Sequence, residues 1–229
     1  MGKDKVAILV DGGFYRRRAK IVWGEKSAED RVDEMMEYCY KHLSDKRAHK
    51  KYELYRLFYY DCPPMERTVY HPFLKKNIDF RHTDLHTWMI AFLEKMTFRR
   101  KVALRLGDLA ESQARYVLSP EALKGIMSGK VTLEDLTEKD FLLDVKQKGV
   151  DMKIGIDIAS ISYKHQVEKI VLISGDSDFI PAAKLARREG IDFVLDPLWH
   201  PIKPSLQEHV DGVISCIDNP KDEKGRNLK

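Results

Sequence analysis

Aspartates recur in this chain where an apolar run stops at a glycine turn. Asp11 ends the run 6–10 and precedes Gly12-Gly13. Asp176 and Asp178 follow Ser174-Gly175 after the run 170–173, and Asp151 follows Lys148-Gly149-Val150 at the head of a long apolar stretch. A short continuous apolar run that ends in a glycine turn reads as a buried strand. Ligands of an open parallel sheet bind beyond the carboxyl ends of such strands, where loops and helix N-termini converge. Carboxylates gathered there repel one another and raise each other's pKa unless a cation neutralises them. The natural cation is hard and divalent, because Mg2+ or Mn2+ takes oxygen ligands, usually keeps waters, can activate a water and can hold the charge that develops on a phosphate under attack. Asp11, Asp151, Asp176 and Asp178 are therefore the candidate catalytic and metal-ligating residues.

Each has a plainer role open to it. Asp178 could cap a helix that starts near Phe179, Asp151 could cap the helix after it, and Asp11 could accept a hydrogen bond in a tight turn. Their coincidence is what favours a site. Asp157 differs, since it lies mid-helix among Ile154, Ile156, Ile158 and Ile161. An unpaired buried carboxylate there costs several kcal/mol, so Asp157 needs a partner. It stands about 120° around the helix from Asp151; a supporting role, a structural hydrogen bond and metal ligation all stay open to it. The Ser174 hydroxyl is placed to orient a ligand or a water. Arg16, Arg17 and Arg18 follow the first acidic turn directly and are read as a nucleic-acid-backbone contact that neutralises phosphates, with Tyr15 offering a stacking surface. Arg99, Arg100, Lys101 and Arg105, near Phe98, read as a solvated face, and the run Lys46, Arg47, Lys50 and Lys51 as a soluble helix end.

The elements that must hold these residues follow from periodicity and breakers. Strands are expected at 6–10, 52–60, 101–106, 141–145, 170–173 and 191–195, and helices at 28–46 (opened by Ser27 and Asp30), 84–96, 152–164 and 179–189. The helix 152–164 is apolar on almost every side and is expected to be well buried. Gly190 stops the helix before it. Alternating strands and helices imply a mainly parallel sheet between helical layers. The stretch 119–144, with Pro120, Gly125 and Gly129, reads as a small helical insertion. One domain over 1–218 is expected, then a flexible tail over 219–229.

Four blocks, taken together, resemble the NYN domains of the PIN-like nuclease superfamily, which include the LabA-like bacterial proteins. They are Val6-Ala7-Ile8-Leu9-Val10-Asp11-Gly12-Gly13, Tyr59-Tyr60-Asp61-Cys62-Pro63-Pro64, Lys148-Gly149-Val150-Asp151 with Asp157, and Ser174-Gly175-Asp176-Ser177-Asp178-Phe179-Ile180-Pro181. The resemblance runs over about 5–217. It implies a three-layer, Rossmann-like α/β sandwich and a metal-dependent ribonuclease or related phosphodiesterase that leaves a 5′-phosphate. The acidic cluster would be carried by Asp11, Asp151, Asp176 and Asp178, with Asp157 at another acidic position of the family pattern. One departure is Phe14, where many members have Asn three residues after the first Asp. It argues for an alternative, a catalytically weak RNA-binding or protein-interaction module on the same fold.

Composition bounds the rest. Of 229 residues, 43% are apolar and 33% charged, as in a soluble globular chain, and a net charge of +4 is too mild to prove a polyanionic partner by itself. No run of eighteen apolar residues or signal peptide stands out, which gives the expectation of a cytoplasmic protein with no membrane partner. Gly2 is not a myristoylation signal, because Val6 replaces the required Ser or Thr. Cys39, Cys62 and Cys216 are odd in number and widely spaced, so they form neither a disulfide framework nor a zinc knuckle. His82 and His86 have helical zinc spacing without an evident third ligand. No dinucleotide, Walker or serine-elbow motif is present. A haloacid-dehalogenase phosphatase needs a second Asp where Gly13 stands. Single-stranded RNA is the expected partner, and a homodimer is left open.

Overall fold

The computed structural model describes residues 4–45 and 49–220. The basic residues Lys46 and Arg47, Gly2 and the expected tail from 221 onward lie outside the described residues. Contacts divide the chain into two compact units. One comprises 1–61, 91–107 and 149–229; the other comprises 62–90 and 108–148.

The first unit is built on six parallel strands: β1 (Lys5–Asp11), β2 (Glu53–Asp61), β3 (Val102–Leu106), β4 (Lys169–Ile173), β5 (Asp192–Asp196) and β6 (Gly212–Val213). In space they run β6-β5-β4-β1-β2-β3. Val6 to Val10 and Ile170 to Ile173 are fully buried, which is why these strands read as unbroken apolar runs and do not alternate. The register pairs Val10 with Ile173 and Asp11 with Tyr60. Helices α1 (Gly12–Trp23), α2 (Ala28–Lys41), α3 (Asp84–Thr97, of which the half from Ala91 belongs to this unit), α4 (Val150–Tyr163), α5 (Ile180–Arg188) and the short α6 (Pro204–Gln207) flank the sheet. This is the parallel sheet between helical layers that the strand and helix pattern implied, and it is consistent with the PIN-like sandwich that the family resemblance implied.

Local chemistry accounts for the boundaries. Ser27 caps α2 by accepting from Asp30 N at 3.1 Å, and Gly190 stops the chain after α5 with φ 81°. Two expectations change. The helix α1 has too weak a stripe to be read from sequence, since three consecutive arginines interrupt it. The helix α4 buries one face only: Val150, Ile154, Ile158 and Ile161 are buried while Met152 and Ile156 are 70% and 59% exposed. It packs against the sheet on that face, and apolar composition cannot distinguish one covered face from two.

In the second unit, the strands Thr68–His71 and Lys76–Asp79, Arg115–Leu118 and Phe141–Asp144, and Asp108–Leu109 and Gln147–Lys148 pair antiparallel. His71 stacks on Tyr116 at 4.1 Å between ring centroids, and Phe73 meets Phe141 at 5.9 Å. The helix Pro120–Met127, capped by Ser119, is the helical part expected within 119–144. The unit also carries these short strand pairs, and it draws on 62–90 as well.

Candidate active site

The strand order changes direction between β1 and β4. From β1 the chain moves outward through β2 to β3, then crosses back to β4 on the other side of β1. At such a reversal the loops leaving the two central strands diverge and leave a crevice at their carboxyl ends. Asp11 is the last residue of β1, and Ser174 follows β4 directly.

A hydrogen-bond relay joins them. The Ser174 hydroxyl donates to Asp11 Oδ2 at 3.1 Å, and Phe14 N donates to Asp11 Oδ1 at 3.0 Å, so Asp11 is also the N-cap of α1. Asp176 N donates to Ser174 Oγ at 3.3 Å, and Asp178 N donates to Asp176 Oδ1 at 2.9 Å. Two glycines let these loops close. A Cβ on Gly12 would stand 2.6 Å from Tyr59 and Asp61, and one on Gly175 would stand 2.8 Å from the Phe14 ring. Phe14, in place of the amide of many relatives, is buried and meets His200 edge to face at 5.9 Å. Its side chain supports the Gly175 loop.

The capping roles open to Asp151 and Asp178 are not the ones used. Gly149, at φ 79°, is the N-cap of α4 and Phe179 that of α5, neither with a side-chain hydrogen bond. Among the described residues no hydrogen bond or ion pair engages either carboxylate. Electrostatics links them to the relay. Burial raises the Asp11 carboxyl above its ordinary range; Phe14 and Ser174 oppose this, and the charge of Asp151 adds to it. Partial burial, then the charges of Asp176 and Asp178, raise Asp151. Asp151 thus links Asp11 with Asp176 and Asp178, and none of the four carboxylates is ion-paired to Lys or Arg among the described residues.

The other predicted residues lie differently. Asp157 accepts from Tyr60 OH at 2.8 Å and from Arg105 Nε at 3.0 Å, the partners its position demanded. Arg16 makes a two-pronged pair with buried Asp61, at 2.9 and 3.0 Å, and Arg18 donates to the carbonyl of Leu198 at 2.7 Å. Only Arg17 of the three is exposed, and its charge counters the raised pKa of Asp11. Arg99, Lys101 and Arg105 are paired to Asp33, Glu53 and Asp157. His82 and His86 stand beside Asp79 and Glu66.

Sequence reading passed over two polar side chains on the same rim, a histidine and a lysine. His200 is exposed beside Gly175, with its pKa lowered by partial burial and by Arg18 and Arg17, and Lys203 Nζ donates to Ser177 Oγ at 3.2 Å. The signal was available, since both belong to the loop that leaves the carboxyl end of β5.

No curated protein matches the chain. A solved structure of a protein of unknown function from Vibrio parahaemolyticus is similar over 95% of each chain, with 14% identity and a TM-score of 0.47. Among the described residues no helix is long and apolar enough to cross a membrane. The model of the NYN domain matches residues 76–217, more than half of the chain, and this protein therefore belongs to the NYN domain family, whose members are generally nucleases of the PIN-like superfamily.

Proposed function

We propose that this protein is a metal-dependent ribonuclease that hydrolyses phosphodiester bonds of single-stranded or unstructured RNA. Asp11, Asp151, Asp176 and Asp178 are its catalytic carboxylates and Mg2+ or Mn2+ its ion. The observation that carries this reading is the relay that joins Asp11, Ser174, Asp176 and Asp178 at the strand reversal, where burial and then the charge of Asp151 raise Asp11, and burial and then the charges of Asp176 and Asp178 raise Asp151.

The donor set fits such an ion in kind. It consists of hard oxygen acids plus one hydroxyl, and among the described residues no three His, Cys, Asp or Glu close into a cage. Mg2+ is commonly held by one or two carboxylates, with waters and substrate phosphates completing its shell, whereas structural zinc takes four protein ligands. When bound, the ion would acidify a water and offset charge on the phosphate under attack.

The protein's own groups do the rest. Ser174 and the Phe14 N–H each fix one oxygen of Asp11, so that carboxylate meets its ligand already oriented. Asp151 holds a proton more tightly than an ordinary carboxylate, which suits it to accept one from an attacking water. Arg17 and Lys203 supply positive charge for the RNA backbone, and the exposed His200 ring offers a hydrogen-bonding edge beside them.

The test is incubation of RNA and DNA with Mg2+, Mn2+ or EDTA beside purified Asp11→Asn and Asp176→Asn. Asn caps as well as Asp, so both variants keep the fold and lose the charge. Cleavage of RNA should disappear in each variant and in EDTA. Unchanged turnover in either folded variant, or full activity in chelator, overturns the proposal. Metal-independent RNA binding without product would favour the non-catalytic module that Phe14 suggests.

A further inference from the structure

A second constellation of reactive groups lies in the first unit, built from residues the proposed nuclease chemistry leaves unused. His42 is the C-cap of α2, Asp196 ends β5, and Cys216 follows β6. His42 Nε2 lies 2.8 Å from Asp196 Oδ2, and Nδ1 of the same ring lies 3.5 Å from Cys216 Sγ. Asp196 is fully buried and accepts from Leu198 N and Ser215 Oγ, each at 2.9 Å, and from the Tyr38 hydroxyl. A carboxylate held by that many donors is fixed in place and holds the imidazole in one orientation. The Tyr38 ring meets the imidazole edge to face at 5.7 Å. Thiol, imidazole and carboxylate thus stand in the order nucleophile, base, orienter, an arrangement recognised by geometry and not by position in sequence.

The thiol is accessible. Cys39 and Cys62 are buried whereas Cys216 is half-exposed, and it lines a cleft of about 770 Å3 with Lys41, Trp199 and Ile214. The backbone N–H of Cys216 is taken by the Tyr38 hydroxyl oxygen at 3.3 Å. That removes a donor an acyl oxyanion would require, so the geometry favours addition over acyl transfer.

We propose that Cys216 is a nucleophilic thiolate paired with the His42 imidazolium, and that the cleft admits soft carbon electrophiles of the α,β-unsaturated carbonyl class. Sulfur forms a bond to the β carbon, the π pair of the C=C bond moves to the α carbon, and that carbon takes the Nδ1 proton of His42. The reaction is a net addition with no oxidant and no leaving group.

The surroundings support the charge assignment. Burial opposes a charged His42, but the hydrogen bonds and charges of Asp196 and Cys216 outweigh it and push the ring up to about 9. Burial, then the charges of Asp196 and Cys216, push the Cys39 thiol up, so it stays protonated and does not compete. The remaining charged groups on the cleft are Lys41, Asp45 and Lys169, the last paired to Asp192 at 3.3 Å.

The test is the rate of N-ethylmaleimide addition to Cys216 in the full chain, followed by peptide mass spectrometry from pH 6 to pH 8. A thiol of ordinary pKa gains about seventyfold in thiolate over that interval; Cys216 should gain less than about threefold. In His42→Gln the rate at pH 6 should fall at least about tenfold. A wild-type rate that climbs by the ordinary factor, absence of a Cys216 adduct on the folded protein, or an unchanged rate in folded His42→Gln overturns the proposal. The wild-type profile decides by itself if the variant does not fold.

Discussion

Aspartates stand at or just beyond the carboxyl ends of four adjacent strands, and they divide into two groups with opposite surroundings. At β2 and β5, Asp61 and Asp196 are buried and fully engaged. Asp61 takes both prongs of Arg16 and the Tyr59 hydroxyl at 2.9 Å, and Asp196 takes the donors of Leu198, Ser215, Tyr38 and His42. At β1 and β4, Asp11 has two donors but is raised by Asp151, while Asp176 and Asp178 are exposed and no cation pairs with them among the described residues. Residue type and topological position are the same. The difference lies in whether the fold supplies compensating charge, and where it does not, a ligand must.

Breaking the engaged pair gives the largest effect. Asp61→Ala leaves the Arg16 guanidinium half-buried without its carboxylate and should cost on the order of 3 kcal/mol, read from the urea midpoint. A loss below about 0.5 kcal/mol would erase the contrast between the two sets.

Next in size is the pH dependence set by His42. Its folded pKa, pushed up to about 9, stands above the unfolded value of 6.5. The stability it contributes is therefore fully present below 6.5 and is lost as pH rises through about 9, by at most about 3 kcal/mol. Denaturation midpoints across that window should fall in the wild type and stay level in Asp196→Asn.

The open set should respond to cations. At ten times its dissociation constant, Mg2+ or Mn2+ should stabilise the wild type by about 1.4 kcal/mol, with the gain absent in Asp176→Asn. Equal thermal shifts in both proteins would show that the ion binds elsewhere.

The smallest effect is also the sharpest in sign. Burial and then repulsion from Asp176 and Asp178 raise Asp151, so its charge opposes folding at neutral pH, and this penalty vanishes in acid below the ordinary carboxylate range. Without metal, Asp151→Asn should stabilise the protein by a few tenths of a kcal/mol, a figure kept small by solvent screening. Destabilisation by this substitution would mean that Asp151 has a partner.

Much of the site could be read along the chain because it is local. Asp11, Asp176 and Asp178 follow strand ends beside a glycine and Asp151 follows a glycine at the head of α4, and the four were singled out from those local patterns. Asp61 shows the same signature, an acid at a strand end before Cys62-Pro63-Pro64, and its structural role was invisible because its partner lies 45 residues away on α1. The same contact withdraws Arg16 from the RNA-facing trio expected from sequence. Phe14, read as a missing amide, turns out to support the Gly175 loop. The helix α1 escaped notice because three arginines conceal its stripe, two of which spend their charge on Asp61 and on a backbone carbonyl.

Sequence by itself determined five of the six parallel strands, the acidic turns after β1 and β4, and the Ser27 cap of α2, because these depend on neighbours a few residues apart. Only the tertiary structure decided that the chain reverses between β1 and β4, that Arg16 belongs to Asp61, and that His42, Asp196 and Cys216 meet across separations of 154 and 174 residues. Which strands become neighbours sets which hydrogen-bond partners a buried charge finds, and periodicity along the chain carries no record of that choice.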